Sequence, residues 1–327
     1  MTLITGRVTD AISGSPIVGA RVTLMMVVDT PEGTFGHRPR QSITDANGAF
    51  AFDGVALAQY QLKVEKTGFA SYPDVWESEP PKRLTIGADD EDPRLRIALK
   101  KGAVVTGRIL NAEGAPEENL QVSALKRTDK AGPLGFAQVG HGQTNDIGEF
   151  RIPSLPAGDY LIQAASHGHG PFDAVQIGAT TFAPTFFPGV LDRSAARVVT
   201  LTAGQTITGI EFAIATVAAF RVSGVAIDPS GRPSPRAMVT LVPDLRATAP
   251  FMPMMAVAAD DGTFEIGGVL PGLYRISADA NEEAASGGFG GGVFSFVVNS
   301  DGPPSGPGAI AVGSADISGL TVVVKRR

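Results

Sequence analysis

Short runs in which apolar residues alternate with polar or small ones recur along the chain. In "TDANGAFAFDGV", residues 44 to 55, Phe50 and Phe52 sit two apart; the frame returns as "TNDIGEFRIPSL" from Thr144 and as "AADDGTFEIGGV" from Ala258. Gly48, Gly148 and Gly262 fall in register, followed by Phe50, Phe150 and Phe264, then by Phe52, Ile152 and Ile266. Apolar residues at every second position share one face of a β-strand, so each phrase predicts a strand with a core side. The preceding Asp, Asn and Gly predict a turn, with glycine at a positive φ, and the whole phrase reads as a β-hairpin.

Other shared phrases surround this one. Upstream lie "ITGRVTD" at Ile4, "VTGRILN" at Val105 and "VSGVAID" at Val222, each followed by a turn and a second strand. Downstream, "VALAQYQL", "LPAGDYLI" and "VLPGLYRI" place Tyr60, Tyr160 and Tyr274 at one position, with Ala58 in the first copy where the others have Gly158 and Gly272. The expected role is a buried ring whose hydroxyl ties down a neighbouring loop. Each copy closes with an alternating strand: "PRLRIAL" from Pro93, "GIEFAIA" from Gly209 and "GLTVVVK" from Gly319. The fold class this predicts is all-β, three tandem β-sandwich domains of about seven strands each.

Spacing sets the expected boundaries. Gly6 to Gly107 is 101 positions and Gly107 to Gly224 is 117, so the second copy carries an insertion, placed in the "SHGHGPF" to "FAPTFFPGV" region. The domains are expected near residues 1–101, 102–217 and 218–327, with only a residue or two, such as Lys101-Gly102, between neighbours. Linkers that short allow little independent tumbling.

Composition changes this picture only by exclusion. The chain has 327 residues, 43% of them hydrophobic, with Gly 40 and Pro 24: rich in turns, yet able to bury cores. Its net charge of -6, with no basic cluster beyond Lys325-Arg326-Arg327, argues against a nucleic-acid partner. With no cysteine, disulfides, thiolate metal sites and a Cys nucleophile are excluded. A nearly apolar stretch such as Val22 to Val28 is far short of the roughly 20 residues of a membrane-spanning helix, so no span is expected. Met1 runs within five residues into a strand phrase, so the expectation is a chain whose leader has been removed or that is not exported by one.

The motifs G-R-V-T-D, T-D-x-x-G-x-F-x-F and L-P-x-G-x-Y, in this order and three times over, resemble the carboxypeptidase regulatory-like domains. These are bacterial repeat modules of transthyretin-like, prealbumin-like β-sandwich form, close to the Cna-B-type and starch-binding-like, or carbohydrate-binding-like, folds. The stretch from Phe182 to Phe212 is also similar to one found in bacterial secreted or envelope proteins of this kind. The resemblance implies a non-catalytic accessory module outside the cytoplasm, periplasmic or extracellular at the cell surface, with an unknown protein or polysaccharide as partner and a possible place in a longer polypeptide or envelope assembly. Some Cna-B-like domains form an internal Lys-Asn isopeptide bond; here the opening strands carry Arg7, Arg108 and Val225 where that lysine would be sought, so no such crosslink is expected.

Catalytic chemistry is expected to be absent. His37, His141, His167 and His169 are the histidines, and none is followed three residues later by the Glu of a zinc peptidase site. The chain also lacks a Gly-x-Ser-x-Gly elbow and a phosphate-binding Gly-x-x-x-x-Gly-Lys loop. "HGHG" at His167 and "DDED" at Asp89 read as surface loops, "SGGFGGG" at Ser286 as a surface excursion; no metal or other cofactor is expected. The candidate ligand-binding residues are aromatic: Phe182, Phe186 and Phe187 in the insertion, Tyr72 and Trp76 after the first tyrosine strand. Flat rings on loops stack on sugars or anchor partner proteins; alternatively these rings fold back to cover a domain junction. Two readings follow: a semi-rigid rod presenting loops at the bacterial surface or in the periplasm, and a polysaccharide-binding accessory module of a carbohydrate-active or peptidase system.

Overall fold

The computed structural model describes residues 2–30, 33–73, 83–86, 94–128, 135–166, 180–243, 254–280 and 308–325, with no side-chain description at 28–30, 33–38 and 325. The first copy of the repeat forms β1 (Thr2–Asp10), β2 (Arg21–Thr30), β3 (Gly33–Ile43), β4 (Ala49–Val55), β5 (Ala58–Glu65), β6 (Arg83–Ile86) and β7 (Arg94–Leu99). The second forms β8 (Ala103–Leu110), β9 (Leu120–Arg127), β10 (Phe136–Gln143), β11 (Glu149–Leu155) and β12 (Gly158–Ser166). It continues through β13 (Thr180–Phe182), β14 (Thr185–Phe186), β15 (Val199–Leu201) and β16 (Thr206–Ala213), and β17 (Thr216–Ala218) leads out of it. The third forms β18 (Phe220–Ile227), β19 (Met238–Pro243), β20 (Met254–Val257), β21 (Thr263–Val269), β22 (Gly272–Asp279), β23 (Ala309–Val312) and β24 (Ile317–Lys325).

These strands build an all-β protein of several sandwich-like domains. In the first copy a sheet of order β4-β1-β7 packs on one of order β3-β2-β5-β6. Ile4, Val8, Phe50, Phe52 and Ile97 from one sheet meet Val22, Leu24, Tyr60 and Val64 from the other in one buried cluster. Each large side chain so buried stabilises the fold by about 1.5 to 3 kcal/mol. The second copy repeats the arrangement with β11-β8-β16 and β10-β9-β12-β14, β15 also pairing β12. In the third the two layers join into one path, β20-β19-β22-β24-β18-β21, because β24 also reaches β22 through Ala278↔Val324 and Asp279↔Lys325. The first and last strands of each copy run parallel and adjacent: β1 with β7, β8 with β16, β18 with β24.

The repeated turn has the expected glycine but not the expected connection. Gly48, Gly148 and Gly262 have φ of 71, 73 and 80°. A Cβ there would also press on the carbonyl oxygens of Val8, Ile109 and Ala226 in the opening strands, a second reason for glycine. The flanking strands, however, do not pair with each other: β3 pairs β2, whereas β4 pairs β1. The phrase is therefore a turn that crosses from one sheet to the other, and the hairpin expectation is corrected. The turn closes on its own local bonds, such as Gly48 N–H to Asp45 O (2.9 Å), leaving the partner of each strand to be set by distant residues.

Tyr60, Tyr160 and Tyr274 are buried, and each donates its hydroxyl to the carbonyl four residues back: Ala56 (3.0 Å), Pro156 (2.7 Å) and Leu270 (2.8 Å). Ala58 in the first copy does not alter this closure. Burial pushes the Tyr274 hydroxyl up to about 12.

Candidate functional site

The insertion of the second copy holds three of the candidate aromatic residues, and the structure places Phe182 and Phe186 on strands and Phe187 in the turn that follows the second of these. Phe182 ends β13, which pairs antiparallel with β17 through Thr180↔Ala218, Thr181↔Val217 and Phe182↔Thr216. This two-stranded ribbon continues into a bond from Ala183 N–H to Ala215 O (2.9 Å). Buried Thr185 extends the clasp, its hydroxyl donating to Ala183 O (2.8 Å) and accepting from Ala215 N–H (3.0 Å). The insertion thus grips the segment that leads from the second copy into the third.

Phe186 lies on β14, opposite Gln163 of β12, and is only 2% exposed. With Leu125 and Leu161 it forms a small cluster on the outer face of the sheet, flanked by Phe136, Val190 and Ala196. A ring so enclosed offers no face to a ligand. Phe187 is half-buried, edge-on to Phe212 (centroids 6.0 Å apart), with the Arg197 guanidinium 5.8 Å over it. Phe182 is also half-buried and, like Phe187, packs against the main cluster of the second copy. Beside Phe186, Gln163 is buried and its Nε2 finds no hydrogen-bond partner among the described residues.

Tyr72 does not join this group. It is half-buried against the core of the first copy and bridges Val64 by two backbone bonds, of 2.8 and 2.9 Å. Just before it, Ala70 N–H donates to Lys100 O (2.9 Å), and Gly102 N–H to Gly68 O (2.9 Å). From the other side Gly204 N–H donates to Lys101 O (3.1 Å). Gly102 fits between Phe69 and Ser154 so tightly that a Cβ would lie 2.5 Å from Ser154 Cα. Both joints of the chain are therefore held by the segment that follows a tyrosine strand. Trp76, His167, His169, Asp89 to Asp92 and the glycines after Ser286 lie outside the described residues, and the His37 side chain is not described.

The polar side chains of the turns serve the backbone. Asp10 Oδ1 accepts from Ile12 and Ser13 N–H, Asn111 Oδ1 from Glu113 and Ala115, and Asp228 Oδ1 from Ser230 and Arg232. The Ser13 amide holds the Asp10 carboxyl below its ordinary value, the Ser230 hydroxyl does so for Asp228, and the Thr263 hydroxyl for Asp261. Arg7 and Arg108 donate Nε to the backbone oxygens of Asn47 (2.8 Å) and Ile147 (2.9 Å). Sequence reasoning missed this role, although an Arg before each of the first two turns signals it. Asn119, Ser154 and Arg236 take φ near 60° with no glycine to permit it. Among the described residues no group of three or more His, Asp or Glu could hold a metal ion, and no helix is long and apolar enough to cross a membrane.

The carboxypeptidase regulatory-like domain family matches this chain at residues 3–100 and again at 104–215. No curated protein matches it. Among solved structures it is similar to the minor pilin of Streptococcus agalactiae, at 13% identity over 66% of this chain and 97% of that one, with a TM-score of 0.31. It is also similar to a streptococcal ancillary pilin, at 14% identity over 99% of each chain and a TM-score of 0.26. A third is the Bacillus anthracis TIE protein, at 10% identity over 100% of this chain and a TM-score of 0.23; this chain spans 51% of that protein's length.

Proposed function

Since the chain belongs to the carboxypeptidase regulatory-like domain family, we propose that it is a non-catalytic structural and binding module, a semi-rigid rod that spaces and presents loops at a bacterial surface or in the periplasm. It would consist of three β-sandwiches of about seven strands, near residues 1–101, 102–217 and 218–327. Three large buried clusters that fall inside these ranges support that division.

The observation that carries the proposal is the hydrogen bonding of both joints. Lys100 to Gly102 is bonded from the first and second copies, and Thr216–Ala218 is paired with β13. A joint whose backbone groups are taken up in this way resists bending, because each bend would expose or break those bonds. Small-angle scattering of the full chain tests the rod. Three domains end to end should give a radius of gyration of about 30 Å, and a value near the ~20 Å of a compact globule overturns the extended arrangement.

Half-buried Tyr72, Phe182 and Phe187 support a second reading, polysaccharide binding by partly exposed rings. A glycan array on the intact chain decides it: binding lost in Tyr72→Ala or in the Phe182→Ala, Phe187→Ala pair favours this reading, and an array without binding rejects it.

A further inference from the structure

The first sheet-crossing turn brings together a pair of groups that neither of the other two copies has in full. Asn47 is exposed, precedes Gly48, and its carboxamide makes no hydrogen bond among the described residues. Arg7 Nε donates to Asn47 O at 2.8 Å, the carbonyl of the peptide whose nitrogen belongs to Gly48. We propose that Asn47-Gly48 is a self-modification site, at which Arg7 promotes cyclisation of the asparagine onto the backbone.

The chemistry needs no group beyond water. The Gly48 nitrogen attacks Asn47 Cγ; the N–Cγ bond forms, Cγ–Nδ2 breaks, and the amide nitrogen leaves with the displaced proton as ammonia. Water then opens the five-membered imide at either carbonyl, giving aspartate or isoaspartate. The attacking nitrogen must first lose its proton, and amide resonance places the resulting charge on the carbonyl oxygen of the same peptide. A guanidinium on that oxygen favours the charged form. Glycine leaves the nitrogen unhindered by a side chain.

The other copies each lack a part. In the second, Arg108 Nε reaches the same carbonyl at 2.9 Å, but the residue is Ile147 and cannot cyclise. In the third, Asp261 precedes Gly262, yet Val225 stands where the arginine would be. Asp261 Oδ1 is moreover held by the Thr263 amide (2.9 Å) and hydroxyl (2.6 Å). Asn145, by contrast with Asn47, has its Oδ1 engaged by the Ile147 and Glu149 amides. One restraint opposes the reaction: Gly48 N–H donates to Asp45 O at 2.9 Å, and its carbonyl accepts from Val8. Attack therefore waits for Gly48 N–H to leave Asp45 O while Arg7 stays on Asn47 O, and the folded chain reacts more slowly than the unfolded one.

Peptide mapping by mass spectrometry, on the full chain held in warm, mildly alkaline buffer, tests this. Asn47 is expected to gain the amide-to-acid mass before Asn111, Asn119 or Asn145 does. Arg7→Met should slow it by about threefold, the size expected of an exposed charge contact, with no effect in denaturant, and Arg7→Lys should keep most of the rate. In the parent chain, high salt should slow conversion as it screens the guanidinium, a reading that needs no substitution. Asn47 persisting while another asparagine converts overturns the site. A parent rate indifferent to salt, or a folded Arg7→Met chain that converts as fast as the parent, overturns the role of Arg7.

Discussion

Replacing Phe186 with alanine should separate a ring that completes the fold from one that binds a ligand. Moving a phenylalanine ring from the interior to water costs about 1.5 to 3 kcal/mol, and the cavity left behind adds to that. The cavity cannot close easily here. Phe186 N–H is held by Val190 O at 2.7 Å, Phe187 N–H by Ile162 O at 2.9 Å, and Leu125 and Leu161 sit on neighbouring paired strands. Because the cluster lies on the outer face of the sheet, some relaxation is available, and a loss of about 3 kcal/mol is expected, at the lower end for buried Phe→Ala changes. Tryptophan emission is a poor reporter, since the one tryptophan, Trp76, belongs to the first copy. Hydrogen exchange measured peptide by peptide reads the affected region directly, and 3 kcal/mol corresponds to roughly hundredfold faster exchange at β12 and β14. Less than about tenfold would show that the ring is not part of the core, as would a change spread equally over the first copy.

Four further outcomes follow from the same geometry. Gly107→Ala would drive a methyl into Ile210 O of the adjacent parallel strand, so the second copy should lose about 1 to 3 kcal/mol in denaturant titration; an unchanged midpoint refutes the close approach. Arg236→Gly should stabilise the third copy by up to about 1 kcal/mol, since it removes an arginine from φ 59°, and a lowered melting temperature would contradict that strain. Gln163→Leu should be neutral or stabilising by about 1 kcal/mol, because it removes a buried amide nitrogen without a partner among the described residues; a large loss would mean that this nitrogen is satisfied after all. The Asp10, Asp228 and Asp261 carboxyls are held below their ordinary 3.8, so the stability they contribute is complete above that pH and fades as pH falls through the lower folded values; thermal melts in acid should show this, and Asp228→Asn should weaken the dependence.

Much of this fold was legible because its signals are local. Alternation at Phe50 and Phe52, the glycine that follows an Asx turn, and a tyrosine four residues beyond its acceptor are all written within a dozen positions. What a strand pairs with is not local, and so "TDANGAF" gave a turn without revealing that it changes sheets. The insertion misled for a related reason. Phe186 among Pro, Thr and Gly looks like a loop residue, and only its pairing with Gln163 lays the ring against Leu125 and Leu161. Left-handed backbone at Ser154 and Arg236 carries no compositional sign, because neither residue favours it; the positions become visible only through Gly54 and Gly268, or Gly19 and Asn119, at φ of 61 to 68° in the other copies.

The parallel placement of first and last strands has a mechanical consequence. Chain enters β1 at one pole and leaves β7 at the other, with Thr5↔Arg94 through Asp10↔Leu99 side by side between them. Tension applied along the polypeptide therefore slides these strands past one another. Their interstrand bonds lie across the pull and share it at once, whereas a pair strained from a single end would open bond by bond. The same holds for β8 with β16 and β18 with β24, so each copy meets a stretching force with its strands in shear.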